Sequence, residues 1–319
     1  MKEVTFLQKN TPKWRKFETL LKSKTANPDT LADLFIQVTD DLSYARTNYP
    51  TSKTTLYLNG LASNVHQAIY KNKKEKKNRF VTFWKYELPI LFKSTHKQLF
   101  YSFLIFIIAG SIGALSAAYD DTFVRLIMGD DYVNMTLENI KSGDPMAVYK
   151  SHDQVDMFFL ITYNNIKVSF TEFAAGLLAS VGTALLLVYN GIMLGSFQYF
   201  FYQHGLLTQS ALTIWIHGTL EISAIIIAGA GGLVMGNSIL FPGTYSRLES
   251  FKMGARKGIK MVIGLVPIFI IAGFLESFIT RLTEIPTIFK LTIILGSAFF
   301  IIYYFIIYPI RLHRKLDRE

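Results

Sequence analysis

The chain contains no cysteine among its 319 residues, which excludes disulfides, thiol nucleophiles and Cys-ligated zinc or iron–sulfur centres. It also lacks a phosphate loop, a dinucleotide fingerprint, an HExxH element and any Ser-His-Asp spacing, so soluble-enzyme chemistry is not expected and no cofactor is implied. The opening stretch MKEVTFLQKNTPKW has neither a continuous apolar core nor a small-residue cleavage site. No removable signal is expected, and the first apolar segment must direct insertion itself.

Apolar residues are abundant, at 50% hydrophobic and 14% aromatic, more than an ordinary soluble domain carries. The net charge of +10 is concentrated at one end, because residues 1–97 hold 18 Lys/Arg against 8 Asp/Glu. A run containing Lys73, Lys74, Lys76, Lys77 and Arg79 has no aromatic residue interleaved within it and lies close to an apolar segment. It reads as a contact for anionic lipid headgroups rather than for nucleic acid.

The expected fold class is all-α, a polytopic membrane bundle joined to a helical, basic cytoplasmic domain at residues 1–97. In that domain Phe6, Trp14, Phe17, Leu20 and Leu21, then Leu31, Leu34, Phe35, Val38 and Leu42, recur at spacings of three and four, as amphipathic helices require. Asn27 and Pro28 suit a helix start between them. A third helix is expected over residues 54–70, and a further amphipathic segment over 83–92 leads toward the membrane along its surface.

The transmembrane domain spans residues 98–310, with a basic cytoplasmic tail at 311–319. Residues 99–118 carry no charge and match a hydrocarbon core of about 30 Å. Residues 119–171 hold eight acids against four bases. Basic before and acidic after puts the N-terminus inside and this region outside. The uncharged stretch 172–201 is too long for one span. Splitting it at Asn190-Gly191 into a span and a shorter return segment, spanning or re-entrant, restores the parity demanded by the basic loop at 247–260. Spans near 213–240, 261–278 and 289–308 complete about six membrane segments with both ends cytoplasmic.

Three carboxylates fall in or at these segments: Glu172, Glu221 and Glu276. An ionisable group at bilayer depth is retained only where it faces protein or water. Glu221 is deep, whereas Glu172 and Glu276 lie nearer segment ends. His217 and Glu221 are spaced i, i+4 and share a helix face that continues through Ala224, Ala228 and Gly232. The pair is therefore expected at a helix–helix contact. Four readings stay open: a structural hydrogen bond to a donor such as Asn190, a proton or substrate relay, a metal site completed by His204 or Asn190, and intramembrane hydrolysis with Glu221 as base. Two ligands do not make a metal site, so none is assigned, and no catalytic residue is named. Gly191 with Gly195 and Gly232 with Gly236 form GxxxG elements, and Gly218 adds another small position. A ridge of Gly110, Ala114 and Ala118 joins them. Such stripes favour tight packing or a homo-oligomer.

Asn164-Asn165, Tyr189-Asn190-Gly191 with Gly195, His217-Gly218-Thr219-Leu220-Glu221, Gly231-Gly232, Gly236, Pro242 and Glu276 together resemble the stage II sporulation protein M family over about residues 100–308. The opening Phe6-Leu7-Gln8-Lys9-Asn10, Trp14 and Asp41-Leu42-Ser43-Tyr44-Ala45-Arg46 are similar to the cytoplasmic extension of family members from non-sporulating bacteria. The family namesake works in spore formation beside partners that remodel peptidoglycan. Extended relatives are encoded near MoxR-type AAA+ ATPases and RDD-type membrane proteins. The resemblance implies a non-enzymatic component of an envelope or membrane complex in which Asn190, His217 and Glu221 act together, with Asn165, Glu172 and Glu276 in the same buried polar cluster. A channel or transporter using Glu221 and His217 is the alternative.

Overall fold

The computed structural model describes residues 1–22, 28–71, 79–150, 153–282 and 285–317. All regular structure among them is helical, with no strand. Asn27 and the polybasic run Lys73, Lys74, Lys76 and Lys77 lie outside the described residues. The chain divides into two compact units, Met1–Arg79 and Phe80–Glu319.

The first unit is a three-helix arrangement of α1 (Glu3–Lys22), α2 (Pro28–Asn48) and α3 (Lys53–Lys71). The apolar residues at helical spacing form its core: Phe6, Trp14 and Phe17 meet Leu34, Val38, Leu42 and Ala45, with Leu58 and Leu61 closing the third side. Two polar ties register the helices. Glu3 accepts hydrogen bonds from the hydroxyls of Ser52 and Thr54, which hold its carboxyl below the usual range. Trp14 Nε1 donates to Asp41 Oδ2 at 2.7 Å, and Lys13 Nζ pairs with the same oxygen at 2.6 Å. Trp14 is 1% exposed, so an unpaired indole N–H there would cost about 1–3 kcal/mol. Asp41→Ala should accordingly speed amide exchange in α1 and α2 on the order of ten- to a hundredfold; exchange that stays unchanged would show the tie to be dispensable.

The second unit opens with α4 (Arg79–Thr82), a π-turn over Phe83–Glu87 and α5 (Leu88–Ser94). Then come α6 (His96–Tyr119), α7 (Phe123–Met128), α8 (Asp130–Lys141) and α9 (Gln154–Ala174). After them run α10 (Val181–Gln203), α11 (Leu207–Leu240), α12 (Arg247–Phe274) with a π-turn at Leu275–Thr280, α13 (Thr287–Ile302) and α14 (Tyr308–Leu316). The compact unit begins at Phe80 and includes α5. Leu88 and Phe92 are buried in the main core with Met261, Leu265 and Phe305.

Five helices are long and apolar enough to cross a membrane: His96–Tyr119, Val181–Gln203, Leu207–Leu240, Arg247–Thr280 and Thr287–Leu316. A sixth rod, α9, accompanies them. A Cβ on Gly258 would meet the Phe173 ring, and one on Gly273 would meet Thr162. Those two contacts run α9 antiparallel to α12 over the apolar part of that helix.

The division of 172–201 at Asn190-Gly191 is not what the chain does. Residues 181–203 are one uninterrupted helix, and Gly191 is there because a neighbouring backbone occupies the space of a side chain. Its Cβ would lie 2.6 Å from the Phe106 carbonyl oxygen. The reversal comes earlier, at a 3-10 turn over Ala175–Leu177 followed by Ala179 and Ser180 with φ of 50° and 69°. Helices α6 and α10 are parallel: Gly191 meets Phe106 and Ala109, Gly195 meets Gly110 and Ala114, and Gln203 Nε2 donates to Asp121 Oδ1 at 3.2 Å.

The small residues are thus consumed within one chain. Gly232 packs on Thr183 and the Glu172 carbonyl, Gly236 on Ser180, and Gly231 faces Gly258, while Ala228 is fully buried in the main core. At the Gln203 end of the bundle α7 and α8 form a cap, in which Val124, Val133 and Met146 pack on Ala117, Phe200 and Phe201. Of the acidic region, residues 154–171 belong to α9 and not to this cap.

Candidate functional site

On α11, His217 and Glu221 lie one turn apart on the same face. The π-turn that ends α12 supplies the facing groups. An i→i+5 turn widens the helix, and such turns recur where a side chain must be re-aimed; here Glu276 and Thr280 both reach the α11 pair. His217 Nδ1 is 3.0 Å from Thr280 Oγ1, and His217 Nε2 is 3.9 Å from Glu276 Oε1. The hydroxyl of Thr280 donates to the Leu275 carbonyl at 3.1 Å. With that bond made, its lone pair faces the ring, and Nδ1 is assigned as the protonated nitrogen. Nε2 is left with a lone pair pointing toward a carboxylate. Ligating atoms of His217, Glu221 and Glu276 all lie within 4.8 Å of one another.

Tyr149, on the 3-10 segment beside the cap, closes the cluster from the Gln203 end with its ring edge-on to His217 at a centroid distance of 5.7 Å. Burial and the negative charges of Glu276 and Glu221 push the phenol well above its ordinary pKa.

The α9 helix brings a file of polar side chains to the same interior. Thr162, Asn165, Ser169 and Glu172 follow a 3-4-3 spacing that keeps them on one helix face. Asn165 is 6% exposed and Ser169 and Glu172 are 0% exposed. The Asn165 amide is placed to hydrogen-bond Glu221, while the hydroxyls of Thr162, Ser169 and Ser277 and both Glu172 carboxylate oxygens make no hydrogen bond among the described residues. A dry orphan costs about 1–3 kcal/mol; at its ends the file packs on α12 and α11, Thr162 against Gly273 and the Glu172 carbonyl against Gly232. The file is about 15 Å long at 1.5 Å per residue.

Access comes from the other side of α11. A cavity of about 430 Å³ is walled by Phe106 of α6, by Tyr189, Asn190 and Phe197 of α10 and by His217 and Glu221, with Met128 and Tyr132 above. Gly218 is part of its lining. A second cavity, of about 610 Å³ and almost wholly apolar, lies between α6, α11 and α13.

The residues anticipated from the sequence therefore divide. His217, Glu221, Glu276 and Asn165 come together. Asn190 lines the cavity but Asn165 takes the place beside Glu221 expected for it. Glu172 is fully buried and not a boundary residue; it ends the α9 file by Gly232, away from the cluster. His204 does not approach, since its Nδ1 bonds the Phe200 carbonyl at 2.8 Å in the turn below the cap. The third potential ligand is Glu276. Thr162, Ser169, Ser277, Thr280 and Tyr149 were not anticipated. The 3-4-3 spacing of the α9 file is present in the sequence, within the stretch 119–171 whose acidity marks it as external.

A family model described as Stage II sporulation protein M matches residues 102–281, which covers every residue of the site. Residues 4–71 match a second family, described as Domain of unknown function (DUF8413). No curated protein and no solved structure matches the chain. The chain belongs to the stage II sporulation protein M family.

Proposed function

We propose that this member of the stage II sporulation protein M family is the cation-handling membrane component of an envelope complex, with His217, Glu221 and Glu276 as the binding site and the polar face of α9 as the path that leaves it. The observation that carries this reading is the α9 file itself. A purely structural Glu–His contact needs one or two partners, whereas Thr162, Asn165, Ser169 and Glu172 continue buried polarity from the cluster toward the opposite end of the bundle. Intramembrane acids facing a protein interior mark ion and substrate pathways and proton relays. In this reading the cap faces outward, the cation enters through the cavity at Asn190 and Tyr132, and Glu172 is the last stop before the cytoplasm. Both chain ends are then cytoplasmic, in a bacterial inner membrane, and the role is non-enzymatic.

Proteoliposomes containing the whole chain and an imposed cation or proton gradient test the pathway. Wild-type protein should dissipate the gradient, and Glu221→Gln and Glu172→Gln should each slow it by at least about tenfold, the loss expected when about 1.4 kcal/mol of stabilisation of the moving charge is removed. No flux in the wild type, or equal flux in Glu221→Gln, would count against it.

A second reading concerns the first unit, which has its own core and its own family match. It serves to dock a partner of the complex, for which a MoxR-type ATPase or an RDD-type membrane protein is our proposal. Deleting residues 1–71 should abolish partner recovery in pull-down and leave flux intact.

A further inference from the structure

We propose that His217, Glu221 and Glu276 bind a divalent cation of the zinc class, through one imidazole nitrogen and two carboxylate oxygens. The proposal deepens the cation-handling reading of the same site but is tested independently of flux.

Three features point to a metal rather than to a hydrogen-bonded cluster. The first is the tautomer. Thr280 takes the N–H of His217 at Nδ1, so the nitrogen facing Glu276 is an acceptor facing an acceptor. Metal-binding histidines are oriented in this way, with the second ring nitrogen anchored by an outer partner. The second is distance. At 3.9 Å the Nε2 to Oε1 separation is too long for a hydrogen bond. Two atoms bonded to one tetrahedral ion at about 2.0–2.1 Å lie roughly 3.3–3.4 Å apart, so a shift of about 0.5 Å brings this pair to ligand spacing. All three ligand atoms lie within 4.8 Å of one another, and side-chain adjustments of up to about 1.5 Å bring the set to that spacing.

The third feature is charge. Neither Glu221 nor Glu276 pairs with a Lys or Arg among the described residues. Two carboxylates this close and shielded from water repel one another, and one divalent ion neutralises both. The Asn165 amide, 6% exposed, is placed to hydrogen-bond Glu221. A ligating carboxylate takes such a bond with its free oxygen. Nitrogen in the ligand set disfavours magnesium and calcium, and the absence of sulfur disfavours copper(I). Three protein ligands leave a fourth position open, toward the cavity, as in sites that exchange or present their ion.

The test uses the whole chain in detergent or nanodiscs, freed of metal and titrated with Co²⁺ followed by electronic absorption, then with Zn²⁺ by calorimetry. One Co²⁺ per chain should bind and be displaced by Zn²⁺. Glu276→Gln and His217→Gln should weaken binding by more than about a hundredfold, and Thr280→Val, which keeps the volume and removes only the anchor of Nδ1, by about 10–100-fold. No stoichiometric binding overturns the proposal, as does equal affinity in Glu276→Gln and Thr280→Val when both melt like the wild type. Binding without flux upholds the site and removes the pathway. Proton flux with no metal binding removes the site and leaves the pathway.

Discussion

Gly195→Leu is expected to abolish the folded bundle, with a loss above about 3 kcal/mol, the upper range for forcing atoms into a filled site. The Cβ alone would strike the Gly110 carbonyl and approach the Ala114 nitrogen to 2.9 Å. Those are backbone atoms of a helix that cannot retreat without breaking its own hydrogen bonds. The clash recurs at Gly113, whose Cβ would meet the Ile192 backbone, so the two helices cannot slide to make room. Gly296 supplies the control, since nothing lies within 4 Å of a Cβ built there. Gly296→Ala should change stability by no more than about 1 kcal/mol, and in the favourable direction by helix propensity. Unfolding of both variants by titration with SDS in mixed micelles separates the outcomes. If Gly195→Leu unfolds with the wild type, the α6–α10 contact is not a determinant of the fold.

Glu276→Lys is expected to eliminate cation binding by at least about a hundredfold, or ~2.7 kcal/mol at 1.36 kcal/mol per decade, while the protein melts at or above the wild-type temperature. The reasoning is electrostatic. His217 Nε2 and Glu221 are acceptors with no donor between them, and an ammonium tethered at position 276 provides one. It replaces two mutually repelling carboxylates with an ion pair. Glu276→Leu is the companion: it removes the ligand and supplies no donor, so binding is lost without the gain in melting temperature. Equal melting temperatures for the two would mean that the lone pairs of the cluster do not need a cation. Retained binding in Glu276→Lys would mean that Glu276 is not a ligand.

How much of this was readable in advance depends on where polarity falls. The span at 99–118 and the three C-terminal spans were legible because uninterrupted apolar runs of that length have few other uses. The α9 helix was not, because Asn164, Asn165, Lys167 and Glu172 dilute its hydropathy; the residues that build the site are those that hide the helix bearing them. The error at Asn190-Gly191 has a related cause. A glycine in a long apolar stretch reads either as a break or as a place where another backbone approaches, and only the position of α6 distinguishes the two. His217 and Glu221 were found from their spacing alone. Glu276 could be seen as an acid at a span end, but its delivery to His217 depends on the π-turn, whose five-residue register leaves no mark on composition. Thr280 fixes the imidazole tautomer through that same turn, and so was invisible for the same reason.

The parallel pairing of α6 with α10 also sets an order of assembly. Residue 110 meets residue 195, so during synthesis α6 enters the bilayer with its glycine face unmatched and remains so until about 85 further residues have been made. At roughly 5–20 residues per second that is a wait of about 4–17 s, long compared with the time a helix needs to diffuse away laterally or to meet another chain. Whatever holds α6 near the site of insertion during this interval, whether a chaperone of the insertion machinery or a partner with a complementary small-residue groove, decides whether the cavity beside Glu221 ever acquires its far wall.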